Sequence, residues 1–279
     1  MYRTLTGKEP AEAVLICVKR KAIALGRKPA LGIVLIGKDP ASEVYVNNKT
    51  RKAEYSGIKT NVHKLPENVK ENEVIALVHK LNEDEHIDGY IVQSPLPKHI
   101  NEKKIVEMIS PEKDVDGWTT TNLGKMFVGA DTYLPATPAG IIRILEYYNV
   151  KIEGKHAVVV GRSNVVGKPM AMLLLKKNAT VTICHSKTDN LAEHTKKADI
   201  LVVAAGKAEM ITSDMVKKGA VVIDVGINKT EKGIVGDVKF SDVIKKADCS
   251  PVPGGVGPMT VAMLLDNVVK AAEKNVGTT

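Results

Sequence analysis

The chain has 279 residues, of which 44% are hydrophobic and 26% charged, a composition typical of a globular protein of one or two domains. No apolar run approaches the roughly 20 residues of a membrane-spanning helix, and the N-terminal segment lacks the apolar core of a signal peptide, so we expect neither a membrane protein nor a secreted one. The net charge of +8 leaves two explanations open, an anionic partner and a surplus of surface lysine.

The first half of the chain alternates predicted helices and strands. Residues 30–36 form a near-continuous apolar run, as expected for a strand covered on both faces. Asp39 and Pro40 supply an N-cap and a first helical position, and Gly57 a stop, so a helix is predicted over 40–56. The predicted series is a helix over 11–26, a strand over 30–36, a helix over 40–56, a strand over 60–65, a helix over 69–82 and a strand over 88–93. This order favours a mostly parallel sheet.

A proline-bearing break over 131–138 is the predicted domain boundary. The series that follows is a helix over 138–149, a strand over 155–160, a helix over 168–177, a strand over 179–184, a helix over 190–196, a strand over 199–204, a helix over 212–218 and a strand over 219–225. A loop rich in Gly and Pro over 250–258 precedes a last predicted helix over 259–274. The fold class is therefore α/β, with two α/β domains of roughly 130 residues each.

Cysteines and aromatic residues bear on compartment and partners. Cys17, Cys184 and Cys249 lie far apart and form no CxxC pair, which is typical of a protein of the reducing cytoplasm. One Trp, seven Tyr and two Phe offer few platforms on which bases could stack. Nucleic acid is therefore not the expected partner.

The predicted strand over 155–160 runs directly into a glycine-bearing turn, from Gly161 to Gly167. Such a turn exposes backbone N–H groups at the start of a helix and forms an anion site by geometry and dipole. Ser163 takes the middle glycine position of G-x-G-x-x-G, and Pro169 stands where a Walker A loop has Ser or Thr. A plain strand-to-helix turn is the alternative for this loop alone.

The end of the next predicted strand distinguishes NAD from NADP. An NAD site usually places a carboxylate there, bonded to the ribose 2′-hydroxyl. Residues 183–187 read ICHSK and contain no carboxylate. Ser186, Lys187 and Arg162 can instead donate to a 2′-phosphate, which favours NADP.

Tyr45 and Lys49 lie four residues apart in the helix that follows Pro40, so they share one face. A lysine in a dry cleft or near a second cation has a lowered pKa and can act in proton transfer. An ordinary solvated helix face is the alternative. Short-chain dehydrogenases also carry a YxxxK pair, but after their nucleotide loop, whereas Lys49 precedes Gly161.

Polar groups also fall at the ends of predicted strands, which in parallel sheets face clefts. Gln93 ends the strand over 88–93, and an amide there can polarise a carbonyl or hold a heterocycle. The segments 204–206 and 224–228 end two strands of the second series. Their backbone could cover the nicotinamide of a dinucleotide.

Two carboxylates, Asp114 and Asp116, lie in the segment KDVDGW over 113–118. A metal site is possible by spacing, but no histidine or further carboxylate cluster supports one. We therefore expect Asp116 to accept hydrogen bonds from a heterocycle and Asp114 to hold the loop.

The segment 251–258 has three prolines and three glycines, which predicts a fixed backbone that a ligand could approach closely. A structural crossing between domains is the alternative.

Taken together, these segments resemble the bifunctional methylenetetrahydrofolate dehydrogenase/methenyltetrahydrofolate cyclohydrolase family over nearly the whole chain. The resemblance rests on Tyr45-x-x-x-Lys49, Gln93 with PLP over 95–97, KDVDG over 113–117, Thr137-Pro138, VGRS over 160–163, VGKP over 166–169, CHS over 184–186, DVGIN over 224–228 and PVPGGVGPMT over 251–260. Four positions depart from the family pattern: Ser94 stands for leucine, Trp118 for phenylalanine, Ala136 for cysteine and Ser250 for threonine.

The resemblance implies a role for each candidate residue. Lys49 would be the central catalytic residue, Tyr45 would stack on the aminobenzoate ring of folate, Gln93 would hydrogen-bond Lys49 or the reacting centre, and Asp116 would anchor the pterin ring. Further residues would line the folate cleft: Pro253, Gly254 and Gly255. The residues implied to hold NADP are Gly161, Arg162, Ser163, Ser186 and Ile227.

The implied activity is the NADP-dependent oxidation of 5,10-methylenetetrahydrofolate to 5,10-methenyltetrahydrofolate, then hydrolysis to 10-formyltetrahydrofolate, in one-carbon metabolism that feeds purine synthesis. The implied architecture is a folate-binding catalytic domain over 1–134, a Rossmann-like doubly wound parallel sheet over 135–258, a cleft between them, and a helix over 259–279 that packs back on the first domain. A homodimer formed through the nucleotide domain is also implied, with no metal, nucleic acid or membrane as partner.

Two other classes of function stay open on sequence alone. A different two-domain NADP oxidoreductase, for example one that acts on a shikimate-like acid, would bind a small hydroxy acid and ignore folate. A basic nucleotide- or nucleic-acid-binding module would show steep salt dependence on polynucleotide and no turnover.

Overall fold

The structure, a computed structural model, describes residues 2–231 and 233–276, except for the side chain of Ala41. The last three positions of the predicted segment 259–279 lie outside the described residues. The chain forms two compact units. The first unit is Ala13–Leu134 with the segment from Val261, and the second is Pro135–Thr260 with the segment up to Glu12.

Helices and strands alternate along the chain, as predicted for an α/β protein. In the described part of the chain the helices are α1 (Lys8–Ala24), α2 (Pro40–Tyr55), α3 (Glu71–Glu83), α4 (Glu102–Glu107), α5 (Thr120–Phe127), α6 (Ala136–Tyr147), α7 (Gly167–Lys176), α8 (Leu191–Thr195), α9 (Phe240–Val243) and α10 (Val256–Val276). The strands described are β1 (Ala30–Ile36), β2 (Lys59–Leu65), β3 (Gly89–Val92), β4 (His156–Val160), β5 (Thr180–Cys184), β6 (Ile200–Val203), β7 (Val221–Asp224), β8 (Asn228–Thr230), β9 (Gly233–Val235) and β10 (Asp248–Cys249).

The first unit is built on a parallel sheet of three strands in the order β2-β1-β3. All seven residues of the central strand β1 are buried, which confirms the prediction of a strand covered on both faces. Its apolar core lies between this sheet and helix α3, which buries Val74, Val78 and Leu81.

The residues that flank α2 determine where it begins and ends. Asp39 is the N-cap, and its Oδ2 accepts a hydrogen bond from the backbone N–H of Ser42 at 2.8 Å. Pro40 occupies the first turn, and Gly57 follows the helix with a φ of 77°, in the left-handed region. The predicted bounds of this helix are confirmed, so local sequence fixes the position of Lys49.

The second unit contains a parallel sheet of five strands in the order β10-β7-β6-β4-β5. The chain passes from β4 outwards to β5 and then crosses to β6 on the other side, so the strand order reverses between β4 and β6. Open α/β sheets bind ligands at the carboxyl ends of their strands beside such a reversal. The predicted Rossmann-like doubly wound sheet is confirmed.

Two regions of the second unit differ from the predicted elements. The helix predicted over 212–218 is wrong: only a 3₁₀ turn forms, Ser213–Met215, because Val216 returns to extended backbone and Gly219 takes a φ of 78°. The segment after β7, for which no element was predicted, forms the antiparallel hairpin of β8 and β9, then the short helix α9 and the edge strand β10. Asp237 follows directly after the hairpin.

Helix α10 begins at Val256, before the predicted start at 259. Pro258 is tolerated in its first turn because the N–H groups there have no partner within the helix. Helices α4 and α5, for which the sequence predicted nothing, are short and are capped by the side chains of Asn101 and Thr119. None of the helices in the described part of the chain is long and apolar enough to cross a bilayer.

Candidate active site

The end of strand β3 and the helix α2 bring two of the predicted residues into contact. The ammonium group of Lys49 donates a hydrogen bond to Oε1 of Gln93 at 2.9 Å. Nε2 of Gln93 donates to the carbonyl oxygen of Ser94 at 2.7 Å, so the amide is held with its oxygen towards the lysine. The side chains of Lys49 and Gln93 are half-buried.

Asp116 lies close enough for its charge to act on Lys49. Burial lowers the pKa of the Lys49 ammonium, and the negative charge of Asp116 partly offsets that effect. Burial raises the pKa of Asp116 to about 6, with the positive charge of Lys49 opposing the rise and Asp114 adding to it. The proton affinities of the two groups are therefore closer than those of lysine and aspartate in water, which suits proton transfer near neutral pH.

Tyr45 lies one helical turn before Lys49 on α2, and its side chain is 39% exposed. An exposed ring beside the ammonium can receive a second aromatic ring face to face or edge to face. Tyr45, Lys49, Gln93 and Asp116 all belong to the first unit.

The loop that carries Asp116 is held by Asp114, which is buried. Its carboxylate accepts from the backbone N–H groups of Trp118 at 3.2 Å and Thr119 at 2.8 Å, and from the side-chain amide of Asn122 at 2.9 Å. The prediction that Asp114 holds the loop is confirmed.

Among the described residues, no group of three or more His, Cys, Asp or Glu side chains could hold a metal ion.

Asn267 on α10 also fixes this loop and was not predicted from the sequence. Its side-chain amide donates to the carbonyl oxygens of Val115 at 2.8 Å and Leu134 at 2.9 Å. Asn267 is buried, and a single amide within the apolar segment 261–272 is the signal that could have found it.

The predicted phosphate loop of the second unit is a tight turn that only glycine can make. Gly161 has a φ of 137°, and a Cβ there would lie 2.3 Å from the carbonyl oxygen of Ala204. A Cβ on Gly167 would lie 2.3 Å from the carbonyl oxygen of Gly161. The Ser163 hydroxyl accepts from the backbone N–H groups of Val166 at 3.1 Å and Gly167 at 3.3 Å, at the start of α7. The side chain of Arg162 is exposed.

The turn after β5 presents Ser186 and Lys187, whose side chains are exposed. His185 shapes this turn, since its Nδ1 accepts from the backbone N–H of Lys187 at 3.1 Å and its own N–H donates to the Thr188 hydroxyl at 2.8 Å. A hydroxyl and a cation therefore stand where an NAD site usually carries a carboxylate.

The other predicted residues, all in the second unit, are Pro253, Gly254, Gly255 and Ile227. The carbonyl oxygen of Gly254 accepts from the N–H of Gly7 at 2.9 Å, and a Cβ on Gly255 would lie 2.5 Å from the carbonyl oxygen of Pro251. These contacts confirm the predicted fixed backbone of this segment. Ile227, by contrast, is 55% exposed.

A doubly wound sheet whose first strand ends in such a turn defines a dinucleotide-binding α/β protein, and Lys49 beside the half-buried carboxylate of Asp116 adds an acid–base centre of the kind enzymes use. Residues 5–116 match the model of the tetrahydrofolate dehydrogenase/cyclohydrolase catalytic domain, and residues 135–276 match that of its NAD(P)-binding domain. The chain belongs to the tetrahydrofolate dehydrogenase/cyclohydrolase family, whose members are bifunctional enzymes of one-carbon folate metabolism.

Full-length relatives agree with this assignment. The bifunctional protein FolD of Campylobacter curvus is 50% identical, over 99% of this chain and 98% of that protein. The crystal structure of the bifunctional enzyme FolD from Campylobacter jejuni is 46% identical with a TM-score of 0.96, over 98% of this chain and 99% of that one. The enzyme of Trypanosoma brucei, crystallised with NADP and an inhibitor, is 34% identical with a TM-score of 0.93, over 99% of this chain and 98% of that one.

Proposed function

We propose that the protein oxidises 5,10-methylenetetrahydrofolate to 5,10-methenyltetrahydrofolate with NADP and hydrolyses this product to 10-formyltetrahydrofolate, a one-carbon donor for purine synthesis. The observation that carries the proposal is the hydrogen bond from Lys49 to Gln93 beside the charge of Asp116. The relatives named FolD support it. The folate-binding catalytic domain would comprise 1–134 and the last helix, that is, the first unit together with residues 1–12, and the dinucleotide-binding domain would comprise 135–258.

The residues of the second unit fit NADP. The turn from Gly161 to Gly167 is a cradle that a Cβ would fill, at the start of a helix whose dipole favours phosphate. Arg162, Ser186 and Lys187 present two cations and a hydroxyl, and residues 183–187 contain no carboxylate that would repel a 2′-phosphate. The NADP complex of the Trypanosoma brucei enzyme supports this choice. NADP would supply the hydride acceptor.

In the oxidation, a C–H bond of the bridge between N5 and N10 of the folate breaks, and the hydride leaves with both electrons. The carbon becomes the methenyl cation. The residues of the first unit hold the folate for this step. The ionised carboxylate of Asp116 accepts from N–H groups of the pterin, and the ring of Tyr45 stacks on the aminobenzoate.

In the hydrolysis, Lys49 moves the proton. Its lowered pKa makes the neutral amine accessible, and this amine takes a proton from the water that attacks the methenyl carbon. The C–N5 bond then breaks, N5 receives the proton that the lysine holds, the formyl group stays on N10, and the other proton of the water goes to solvent. Gln93 accepts one N–H of Lys49 and thereby orients the amine.

The proposal is tested by NADPH absorbance with methylenetetrahydrofolate as the substrate, and with NAD and a shikimate-like hydroxy acid as controls. We expect reduction that needs the folate and prefers NADP. A protein that shows no folate-dependent reduction would contradict the assignment. Equal efficiency with NAD would contradict only the choice of dinucleotide.

The pKa of Asp116, about 6, predicts a pH dependence of folate binding. Above this pH the carboxylate is ionised and accepts from the pterin, and below it the protonated group loses most of that capacity. We expect the KM for methylenetetrahydrofolate to rise as the pH falls through about 6. Asp116→Asn should raise this KM at every pH and flatten the profile, while the KM for NADP stays constant. A variant with the wild-type pH profile would sink the prediction.

We also propose that the protein is cytoplasmic and that it forms a homodimer through the second unit. β5 is an edge strand of its sheet, Ile183 on it is 38% exposed, and Leu175 on α7 is 55% exposed, an apolar surface suited to a second copy. Cys17, Cys184 and Cys249 form no disulfide, which supports a reducing compartment. Sedimentation should give twice the monomer mass for the wild type and a smaller species for Ile183→Lys; a monomeric wild type would contradict the dimer.

A further inference from the structure

Asp237, just after the hairpin of β8 and β9, accepts four hydrogen bonds on one buried carboxylate. Its Oδ2 accepts from the backbone N–H groups of Ala205 at 2.7 Å and Gly206 at 2.9 Å. Its Oδ1 accepts from the backbone N–H of Lys207 at 2.8 Å and the side-chain amide of Asn228 at 2.9 Å. Each of these donors is uncharged, so convergent N–H groups, rather than a cation, hold the carboxylate.

A second buried carboxylate, Asp224 at the end of β7, holds Asp237 in turn. Its Oδ1 accepts from the backbone N–H groups of Gly226 at 2.9 Å and Asp237 at 2.9 Å, and its Oδ2 accepts from that of Val238 at 2.8 Å. The contacts therefore run from the rigid strand β7, through Asp224 and Asp237, to the loops that follow β6 and β7.

Two glycines allow the carboxylates to approach these loops closely. A Cβ on Gly226 would lie 2.3 Å from the carboxyl carbon of Asp237, and a Cβ on Gly236 would lie 1.8 Å from Oδ2 of Asp224. A larger residue at either position would displace the carboxylate. The carboxylate of Asp237 is thus held in one orientation by the surrounding backbone.

The two loops, 204–207 and 225–228, lie at the carboxyl ends of β6 and β7, on the ligand-binding edge of the sheet. Loop 204–207 also contacts the phosphate loop, since the carbonyl oxygen of Ala204 lies so close to Gly161 that a Cβ at that position would clash with it. With the phosphates held at the loop after β4, the nicotinamide end of the dinucleotide would lie towards the loops after β6 and β7. Their outer surface, including Ile227, is exposed, whereas Asp237 is buried behind it.

We propose that Asp237 is a positioning residue for hydride transfer: its carboxylate fixes the loops 204–207 and 225–228 in the shape that receives the nicotinamide end of the dinucleotide. The inference rests on the proposed function. A carboxylate is required because both of its oxygens accept. An asparagine has one acceptor oxygen, and its NH₂ group would face two N–H donors of the loops.

The test compares Asp237→Asn with the wild type in four measurements. The affinity for NADP and the kcat/KM of hydride transfer should fall, the latter roughly 10- to 100-fold, because a small displacement of a positioning loop has an effect of that size. The affinity for 2′,5′-ADP, which lacks the nicotinamide, should stay constant. The hydrolysis of methenyltetrahydrofolate without NADP should also stay constant.

Asp242→Asn is the matched control, because the half-buried carboxylate of Asp242 accepts from the backbone N–H of Ser213, outside these loops. Equal losses of NADP and 2′,5′-ADP binding, or unchanged hydride transfer, would overturn the inference. If Asp237→Asn fails to fold, Asn228→Ala removes one of the four hydrogen bonds and should show the same pattern more weakly. An Asn228→Ala variant that binds NADP and transfers hydride like the wild type would also overturn the inference. A wild type without folate-dependent reduction would refute the proposed function, while the two binding measurements still test Asp237.

Discussion

Replacement of Lys49 by methionine should slow the hydrolysis of methenyltetrahydrofolate by about 10²- to 10⁴-fold, while hydride transfer continues. Methionine has a similar length but carries no proton to move, and Oε1 of Gln93 loses its donor. The oxidation itself transfers a hydride and needs no proton from this side chain. The two steps are measured separately, by loss of the methenyl compound and by formation of NADPH.

Lys52→Met is the control for this experiment, because Lys52 lies on the same helix and contacts the ring of Tyr55 instead of Gln93. We expect both activities of the control to match the wild type. Hydrolysis that survives in Lys49→Met would contradict the role of this residue in proton transfer. Equal loss of both steps would assign Lys49 to substrate binding alone.

Replacement of Asp88 by alanine should destabilise the first unit by about 3 kcal/mol. The buried carboxylate of Asp88 accepts from Arg27 at 2.8 Å, from the backbone N–H of Ala30 at 2.8 Å, and from the side-chain amide of Asn275 at 2.9 Å. It therefore joins the turn between α1 and β1, the start of β1 and the end of α10. Thermal unfolding at pH 7 measures the loss. Asp131→Ala is the control, because Asp131 is exposed and its pairing with Lys270 is screened by water.

The contribution of Asp88 should also depend on pH in a defined direction. Burial alone would raise the pKa of its carboxyl, but the bonds from Arg27, Ala30 and Asn275 outweigh burial and lower it. A carboxyl whose pKa is lowered in the folded protein contributes its full stability above its unfolded pKa of about 3.9, and loses it as the pH falls further. The difference in Tm between wild type and Asp88→Ala should therefore be constant from pH 6 to 8 and shrink below about pH 4. A difference that grows in acid, or one no larger than that of Asp131→Ala, would contradict this account.

Elements with local signals were predictable from the sequence. Helix α2 begins at Asp39 and Pro40 because a cap and a fixed φ act within one turn, and β1 is a strand because its apolar run fits only a doubly covered position. The helix predicted over 212–218 failed because Gly219 and an extended Val216 ended it after a single turn.

The candidate site was predictable as a set of residues, and its electrostatics were not. Spacing and resemblance selected Tyr45, Lys49, Gln93 and Asp116. The directions of the pKa shifts of Lys49 and Asp116 depend on burial, which arises from the packing of α2, β3 and the loop over 113–118. Asn267 and Asp237 were missed because their partners are distant in the sequence. Hydrogen bonds across such distances leave no local pattern that identifies the partner, although a lone amide in an apolar helix marks Asn267 itself.

The participation of α10 in the first unit has a consequence for folding during synthesis on the ribosome. The bond from Asn267 to Val115 spans 152 residues, so the loop that carries Asp116 acquires this support only after α10 has been synthesised. At roughly 5–20 residues per second, a ribosome needs on the order of 10 s to travel from Leu134 to Val261. During that interval the chain already holds Lys49, Gln93 and Asp116 but lacks the helix that anchors the loop of Asp116. The residues of the acid–base centre are thus synthesised well before the helix that supports one of them.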